Sequence, residues 1–520
     1  MLLKNIYNKI ISRPRYTYIA IFVFIFLIFG IFQLQPNFGD PDVFYHIKIS
    51  KLMIEDQLVF TEFPWMQYSS LRDNFTDHHF LFHILLIPFI YIAGTIWGAK
   101  IAIAFFAASF FTCLYWFLQK FKFKHSELII IALLLFNSFF FRLSLMKATP
   151  LSLIILLFLI TYIFEKKYWQ ILLLSYIYVL TYGGWLLGLF IALIYIFSNI
   201  LFFITQKKPI LKELTNKLLS HHHLKIIISI IAGNILGIII NPYFPQNLKF
   251  YWQQIVDIGI VNYSNIIQVG NEWYSTSALS VIVSARFLLI LLTIGILLTI
   301  FNHKKLNRQS IFFFLVSLIF FVLTLKSRRY IEYFAPFLAI FTGYLLTIYY
   351  TDLKKWIAEI LKNRSEKPLY RSLFLIISIL IIFTFFIQLT TTFRLLSNIP
   401  TTQFEQSSQF IKTKTPYHST IFHSSWDEWP QLFYHNSTDY YIAGLDPTFA
   451  YKFNSKKYLL WRKLVTQPAT NDFYSSIKNE FQANYVFANK RYLQFIKNLD
   501  EALYFKPIYE DEEVIIYQVL

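Results

Sequence analysis

The sequence predicts a polytopic α-helical membrane protein of about eleven spans that ends in a small extracytoplasmic α/β domain. Of its 520 residues, 56% are hydrophobic and only 15% are charged, and the mean hydropathy is +0.49. This composition exceeds what the core of a soluble protein of that length requires. The charged residues also fall in short clusters between apolar runs, which is typical of the loops between spanning helices.

Eleven apolar runs approach or reach the length of about 20 residues that a bilayer core demands. They cover residues 17–34, 98–118, 126–141, 149–164, 168–183, 184–205, 225–241, 278–301, 309–325, 333–350 and 372–390. The stretch 79–94 is shorter and contains His79, His83 and Pro88. We interpret it as a helix that lies at the outer membrane surface without crossing.

The distribution of basic residues predicts the orientation in the membrane. Lys4, Lys9, Arg13 and Arg15 place the N-terminus in the cytoplasm, and the first apolar run continues to about Leu34 as a retained helix of the cell (inner) membrane. The later loops assigned to the inside are basic as well: Lys120, Lys122, Lys124, Lys166, Lys167, Lys207, Lys208, Lys212, Lys217, Lys304, Lys305, Arg308, Lys354, Lys355, Lys362, Arg364, Lys367 and Arg371. The net charge of +18 therefore indicates membrane lipids as partners and no nucleic acid.

Two domains are predicted. Residues 1–394 form the transmembrane domain, with a first outer loop at 35–97, and residues 395–520 form a soluble domain outside the cytoplasm. After about residue 390 the composition becomes polar, and no later run is long enough to span. Short β-prone runs (STIFHSS, DYYIAGL, ANYVFAN, EEVIIYQV) alternate there with helical patterns, which favours an α/β domain.

The first outer loop carries two groups of candidate site residues. GDPDVFYH supplies Asp40, Asp42 and His46, and a second group follows at Asp77 and His78. Carboxylate oxygens and imidazoles are the ligands that Mg²⁺ or Mn²⁺ would collect. The alternatives are helix capping for the first group and solvated interfacial polarity for the second.

The segment KSRRYIEYFAP places Lys326, Arg328 and Arg329 on the outer side, against the positive-inside trend. A fork of guanidinium groups that binds a lipid phosphate would explain them. A pair between Arg328 and Glu332, or snorkelling to headgroups, is the alternative. Glu272, in the outer-loop segment VGNEWYS, is either a further metal ligand or simply solvated.

Sequence motifs of metalloproteases, serine hydrolases and NTPases do not occur where they would matter, so no nucleotide cofactor is expected. The layout instead resembles the GT-C class of membrane glycosyltransferases and, distantly, the catalytic subunits of oligosaccharyltransferases. GDPDVFYH is similar to their first-loop D-x-D region, and HSSWDEWPQLFY (423–434) is similar to a degenerate WWDYG motif that matches at Trp426 and Asp427.

The resemblance implies an enzyme that moves a sugar or oligosaccharide from a polyprenyl-phosphate donor to an acceptor outside the membrane. Asp40, Asp42 and His46 would be catalytic, and Asp40, Asp42, Asp77 and His78 would hold a divalent ion. Lys326, Arg328 and Arg329 would bind the donor phosphate, and Trp426, Asp427 and Glu272 would line an acceptor or sugar surface. Two other functions stay open, namely a polytopic transporter and a catalytically inactive GT-C-like scaffold.

Overall fold

The computed structural model describes residues 14–206, 211–301, 306–362 and 367–520. Several basic residues that support the predicted orientation lie outside these ranges: Lys4, Lys9, Arg13, Lys207, Lys208, Lys304, Lys305 and Arg364. The chain forms two compact units. The first contains residues 1–35, 100–237 and 271–397, and the second contains 36–99, 238–270 and 398–520. The soluble domain predicted at 395–520 therefore shares a unit with the first outer loop.

The apolar helices fall on the predicted runs. Their bounds are Pro14–Gln33, Thr95–Lys120, Ser126–Leu134, Asn137–Leu143, Thr149–Glu165, Tyr168–Thr181, Leu187–Gln206, His221–Ile239, Ala278–Ser284, Arg286–Phe301, Arg308–Lys326, Ile331–Ile348 and Lys367–Leu396. The hydrophilic helices Leu211–Leu218 and Tyr350–Lys362 lie between them. In the described part of the chain, seven helices have the length and hydropathy of a span, or up to nine if two bent pairs each count as one. The prediction of a multi-pass helical protein is confirmed, whereas the count of eleven stays a prediction.

The bent pairs and two short helices account for the difference in the count. The run predicted at 126–141 is broken by 83° between Ser126–Leu134 and Asn137–Leu143, and the run at 278–301 is broken by 90° at residue 285. Thr149–Glu165 and Tyr168–Thr181 are apolar but shorter than the span criterion. Hydropathy registers the apolar length of such segments but carries no information about a bend inside them.

Polar side chains connect the helices inside the first unit. Ser152 lies in Thr149–Glu165, and its hydroxyl is 2.5 Å from the hydroxyl of Tyr178 and 3.0 Å from that of Tyr333. All three residues are buried, and each comes from a different helix. Because unpaired hydroxyls are costly in an apolar interior, this triad favours one relative placement of the three helices.

The second unit is built around a five-stranded sheet. The strands are β1 (Thr420–His423), β2 (Tyr440–Tyr441), β3 (Tyr485–Asn489), β4 (Phe505–Glu510) and β5 (Val514–Val519), in the spatial order β2-β1-β3-β5-β4. The pairs β1–β2 and β1–β3 are parallel, and β3–β5 and β4–β5 are antiparallel. The helices of this unit are Asp42–Glu55, Phe80–Ala93, Gln246–Trp252, Gln253–Val261 (a π-helix), Glu405–Lys414, Trp429–His435, Pro447–Phe453, Ser455–Thr466, Phe473–Ser475, Ser476–Glu480 (also π) and Leu493–Glu501. The predicted α/β character is confirmed.

Residues of the predicted first outer loop (35–97) extend the edge of this sheet. The backbone N–H of Gln67 donates to the carbonyl of Tyr441 (2.8 Å), and that of Tyr68 donates to Ile442 (2.9 Å). Trp65 donates its indole N–H to the carbonyl of Ser437 over 2.7 Å. Trp429, in turn, donates its indole N–H to the carbonyl of Trp65. This segment is therefore integrated in the core of the second unit.

Gly444 gives a test of this packing. An ideal Cβ at Gly444 would lie 2.2 Å from Cγ of Trp429, whose side chain is fully buried. We expect Gly444→Ala to lower the free energy of unfolding by about 1–3 kcal/mol, because the ring must shift within a filled core. The measurement is thermal or denaturant unfolding of the purified protein. Gly30→Ala, whose Cβ would enter open space, is the control; equal stability of both variants would contradict this packing.

Candidate functional site

The acidic motif of the second unit begins the helix Asp42–Glu55. Asp40 accepts a hydrogen bond from the backbone N–H of Asp42 over 2.8 Å, and Pro41 occupies the N-cap position. Asp42 lies in the first helical turn, where a carboxylate is favoured by the helix dipole. This contact supports the alternative that Asp40 serves to cap the helix, because its carboxylate stabilises the turn at which the helix begins. His46 follows Asp42 by one turn, so both side chains project from one helical face.

Asp77 and His46 belong to one chain of buried hydrogen bonds. Asp77 Oδ2 lies 2.7 Å from Nδ1 of His83, and His83 Nε2 lies 2.8 Å from Nδ1 of His46. The exposed fractions of the three residues are 2%, 0% and 3%. The sequence predicted only that His83 lies in a helix at the membrane surface. A histidine at this position was the only sequence signal for a role in the site. His78, another of the predicted ligands, stacks on Phe250 with ring centroids 5.0 Å apart.

Two tyrosines surround the same carboxylate. Burial, followed by the negative charge of Asp77, raises the pKa of Tyr45 and of Tyr243. Both hydroxyls therefore keep their protons and act as potential donors. The hydroxyl of Tyr243 is buried and has no hydrogen-bond partner among the described residues. Buried unsatisfied groups of this kind point to a bound water or ligand group at the site.

The predicted metal ligands are committed to other contacts. The second oxygen of Asp77 accepts the backbone N–H of His79 over 2.9 Å, so both of its oxygens are engaged. Within the described ranges, no three His, Cys, Asp or Glu side chains are arranged to hold a metal ion. Asp40, Asp42, Asp77 and His78 do not form a metal centre in this arrangement, and the Mg²⁺ or Mn²⁺ ion stays a prediction.

The first unit contains a partly buried cluster of cations around Glu272. Its carboxylate lies 2.8 Å from Nη1 of Arg142, 2.8 Å from Nη1 of Arg329 and 4.0 Å from Nζ of Lys147. Burial alone would raise the pKa of Glu272, but Arg329, Lys147 and Arg142 outweigh it and hold the pKa well below its usual range. Glu272 is therefore charged at any physiological pH. The alternative of a merely solvated Glu272 is wrong.

Arg329 is fixed on three sides. Besides Glu272, it contacts the hydroxyl of Tyr182 at 3.2 Å, and its guanidinium lies 5.0 Å from the ring centroid of Trp273. Such cation–π contact adds to the attraction when the cation is withdrawn from water. Arg328 and Lys326, by contrast, are exposed, and the Nε of Arg328 donates to the carbonyl of Ser275 over 3.2 Å. The predicted trio of cations thus divides into one ordered guanidinium and two exposed groups.

Glu332 belongs to the same cluster through Arg142. Its carboxylate pairs with Arg142 and accepts the hydroxyl of Thr149 over 2.8 Å, and the residue is only 1% exposed. The pair considered from the sequence, Arg328 with Glu332, is replaced by this one. Arg142 and Lys147 were not among the predicted site residues. Their only signal in the sequence is that they are cations between the predicted spans 126–141 and 149–164.

Trp426 and Asp427 lie on a short 3₁₀ turn, Trp426–Glu428, after strand β1. Both residues are partly exposed, and Asp427 lies 3.8 Å from Nη2 of Arg491. The neighbouring Glu428 is buried and accepts the backbone N–H groups of Ser424 and Ser425. The turn is therefore held in place, and the partly exposed Trp426 and Asp427 stay a predicted acceptor or sugar surface.

No protein-family model and no curated protein matches the chain. Solved structures do match in fold. An oligosaccharyltransferase of Archaeoglobus fulgidus, tethered to an acceptor peptide, is 13% identical with a TM-score of 0.61, over 97% of this chain and 74% of that one. The AglB oligosaccharyltransferase of the same organism, with an inhibitory peptide and dolichol-phosphate, is 12% identical with a TM-score of 0.61, over 98% and 74%.

ArnT of Cupriavidus metallidurans, bound to undecaprenyl phosphate, is 15% identical with a TM-score of 0.56, over 96% of this chain and 98% of that one. These matches extend over nearly the whole chain, and identities this low establish the fold alone. The resemblance to GT-C membrane glycosyltransferases is confirmed at that level. The chain is an integral, multi-pass membrane protein.

Proposed function

For a chain with this fold, we propose a membrane glycosyltransferase that moves a sugar or oligosaccharide from a polyprenyl-phosphate donor to an acceptor on the outer side. The observation that carries the proposal is the cluster of Arg142, Lys147 and Arg329 around the charged carboxylate of Glu272. The proposal includes an orientation in the membrane, with the N-terminus in the cytoplasm and the soluble part of the chain outside it.

The cation cluster has the chemistry that a departing phosphate needs. Three cations face two carboxylates, Glu272 and Glu332, so the cluster keeps an excess of positive charge. Guanidinium groups bind phosphate oxygens in pairs and stabilise the charge that develops as the sugar–phosphate bond breaks. A donor phosphate would compete with Glu272 for Arg329, and the exposed Lys326 and Arg328 would attract it. Solved relatives in fold contain dolichol-phosphate and undecaprenyl phosphate, which supports a donor of this class.

The acidic start of helix Asp42–Glu55 would act on the acceptor. Asp42 lies in the first turn beside His46, where it can orient the acceptor nucleophile or take up its proton. If a divalent ion takes part, Asp40 and Asp42 with Asp77 and His78 remain the predicted ligands, after rearrangement of the contacts described above. Trp426 and Asp427 offer a partly exposed surface for the acceptor or the sugar.

The test measures transfer of labelled sugar from polyprenyl-linked donors to endogenous acceptors in membranes, at matched expression. We expect Asp42→Asn to reduce transfer by about 100-fold or more, because a positioned acid or base typically contributes that factor. Asp56→Asn, an exposed aspartate at the other end of the same helix, should transfer like the wild type.

Repeating the assay with a chelator distinguishes a transferase that uses a metal ion from one that does not. Loss of transfer both in Asp42→Asn and on chelation supports a metal-assisted transferase, whereas loss in the variant alone retains the transferase without the ion. If the wild type transfers no donor that is tried, the proposed function is contradicted. The transporter and the inactive scaffold then become the better explanations.

A further inference from the structure

The carboxylate of Glu272 bridges two guanidinium groups. Its Oε1 accepts a hydrogen bond from Nη1 of Arg329 over 2.8 Å, and its Oε2 lies 2.8 Å from Nη1 of Arg142. The side chains of Glu272 and Arg329 are 19% and 20% exposed, more than those of Arg142 and Lys147. An anion that approaches the cluster therefore meets this pair first. Because a carboxylate and a phosphate bind a guanidinium in the same way, Glu272 occupies the position on Arg329 that a phosphate would take.

The backbone next to Glu272 is fixed, so the side chain is the part that can move. The hydroxyl of Ser327 donates to the carbonyl of Glu272 over 2.8 Å. The backbone N–H of Arg328 donates to the carbonyl of Tyr274 over 3.1 Å. A change in the side-chain rotamer of Glu272 can therefore release the guanidinium without displacing the loop.

Arg329 keeps its orientation when the carboxylate moves away. Its Nη2 donates to the hydroxyl of Tyr182 over 3.2 Å, and its guanidinium lies 5.0 Å from the ring centroid of Trp273. Neither contact depends on Glu272. The carboxylate, for its part, keeps Arg142 beside Oε2. Exchange of Glu272 for a phosphate at Arg329 thus leaves neither charge without an opposite charge, which is the condition for a low cost of exchange.

We propose that Glu272 is an internal competitor of the phosphate group, which lowers the affinity for the polyprenyl phosphate product and returns to Arg329 as that product leaves. This inference rests on the proposed glycosyl transfer, in which Arg329 stabilises the departing phosphate. A residue that only held Arg329 in place would have the opposite effect. Removal of a holding residue weakens phosphate binding, whereas removal of a competitor strengthens it. The direction of the change in one variant therefore separates the two roles.

The experiment measures binding of undecaprenyl phosphate, the lipid in the ArnT structure, to the full-length protein in nanodiscs of zwitterionic lipid. Glu272→Gln keeps the shape of the side chain and removes its charge. We expect its Kd to fall about 10-fold below that of the wild type, mainly through slower dissociation. In the transfer assay, the inhibition constant of undecaprenyl phosphate should fall by the same factor. Glu359→Gln, at an exposed position of the same unit, should change neither constant.

Two further probes locate the effect at a lipid phosphate. Undecaprenol has the chain without the phosphate, so the wild type and Glu272→Gln should bind it equally. Inorganic phosphate has the charged group without the chain, and it should compete only at concentrations at least about 100-fold higher than the lipid. A tenfold gain in affinity for undecaprenol would show that the effect lies elsewhere. Equal affinities for inorganic phosphate and the lipid would show that the ligand is free phosphate, and either result overturns the inference.

Unchanged or weaker binding of undecaprenyl phosphate by Glu272→Gln also overturns the inference, and it leaves the transferase intact. If Glu272→Gln does not fold, Glu272→Asp replaces it, because the shorter carboxylate keeps the charge but loses reach toward Arg329. We expect that variant to bind the lipid about threefold more tightly, and equal or weaker binding contradicts the role of competitor. A wild type without any sugar transfer contradicts the proposed function itself, whatever the affinities for the lipid.

Discussion

Arg142→Ala should lower the free energy of unfolding by about 3–5 kcal/mol, the cost of removing one partner from a buried ion pair. Arg142 pairs with Glu332, which is 1% exposed, and with Glu272 at 2.8 Å. Without it, Glu332 keeps the hydroxyl of Thr149 but loses its opposite charge. In a low-dielectric interior a carboxylate in that position is strongly unfavourable.

The measurement is denaturant or thermal unfolding of the purified protein in one fixed detergent or lipid. Arg142→Lys is the matched variant, since it keeps the charge but loses the fork that reaches two carboxylates; we expect it to fall between the wild type and Arg142→Ala. A loss below about 1 kcal/mol in Arg142→Ala would mean that the pair is solvated and worth no more than a surface ion pair.

Arg329→Ala should reduce sugar transfer by about 100- to 1,000-fold, the range seen when one preorganised donor to a developing anion is removed. Arg329 is the ordered guanidinium of the predicted phosphate-binding trio, held by Glu272, Tyr182 and Trp273. Because it would act on the leaving phosphate, the loss should fall mainly on kcat.

Transfer is measured with a polyprenyl-phosphate-linked sugar at matched protein levels, with two companion variants. Arg329→Lys keeps the charge without the planar fork and should recover only part of the activity. Arg286→Ala, an exposed arginine of the same unit, should stay within about twofold of the wild type. Equal activity of Arg329→Ala and Arg286→Ala would show that the cation cluster does not contribute to sugar transfer.

Local sequence signals determined much of the architecture. Each predicted apolar run coincides with a helix or a bent helix pair, since the hydropathy of a segment depends only on its own residues. Four strands were predicted from β-prone runs, but β4 (Phe505–Glu510) was missed. That strand is at the edge of the sheet and contains Pro507 among charged residues. An edge strand tolerates proline, but proline and charge in a segment argue against a strand when only the sequence is considered.

The sequence by itself determined a multi-pass membrane protein with a GT-C-like fold, and it singled out unusual polar residues at Asp40, Asp42, Asp77, Glu272 and Arg329. Only the tertiary structure decided which of these groups meet. Arg142 and Glu332 are 190 residues apart, Glu272 and Arg329 are 57 apart, and His46 and His83 are 37 apart. Contacts at such separations depend on how the helices and loops pack. Periodicity and composition describe each segment alone, whereas burial and Coulomb attraction select partners across segments.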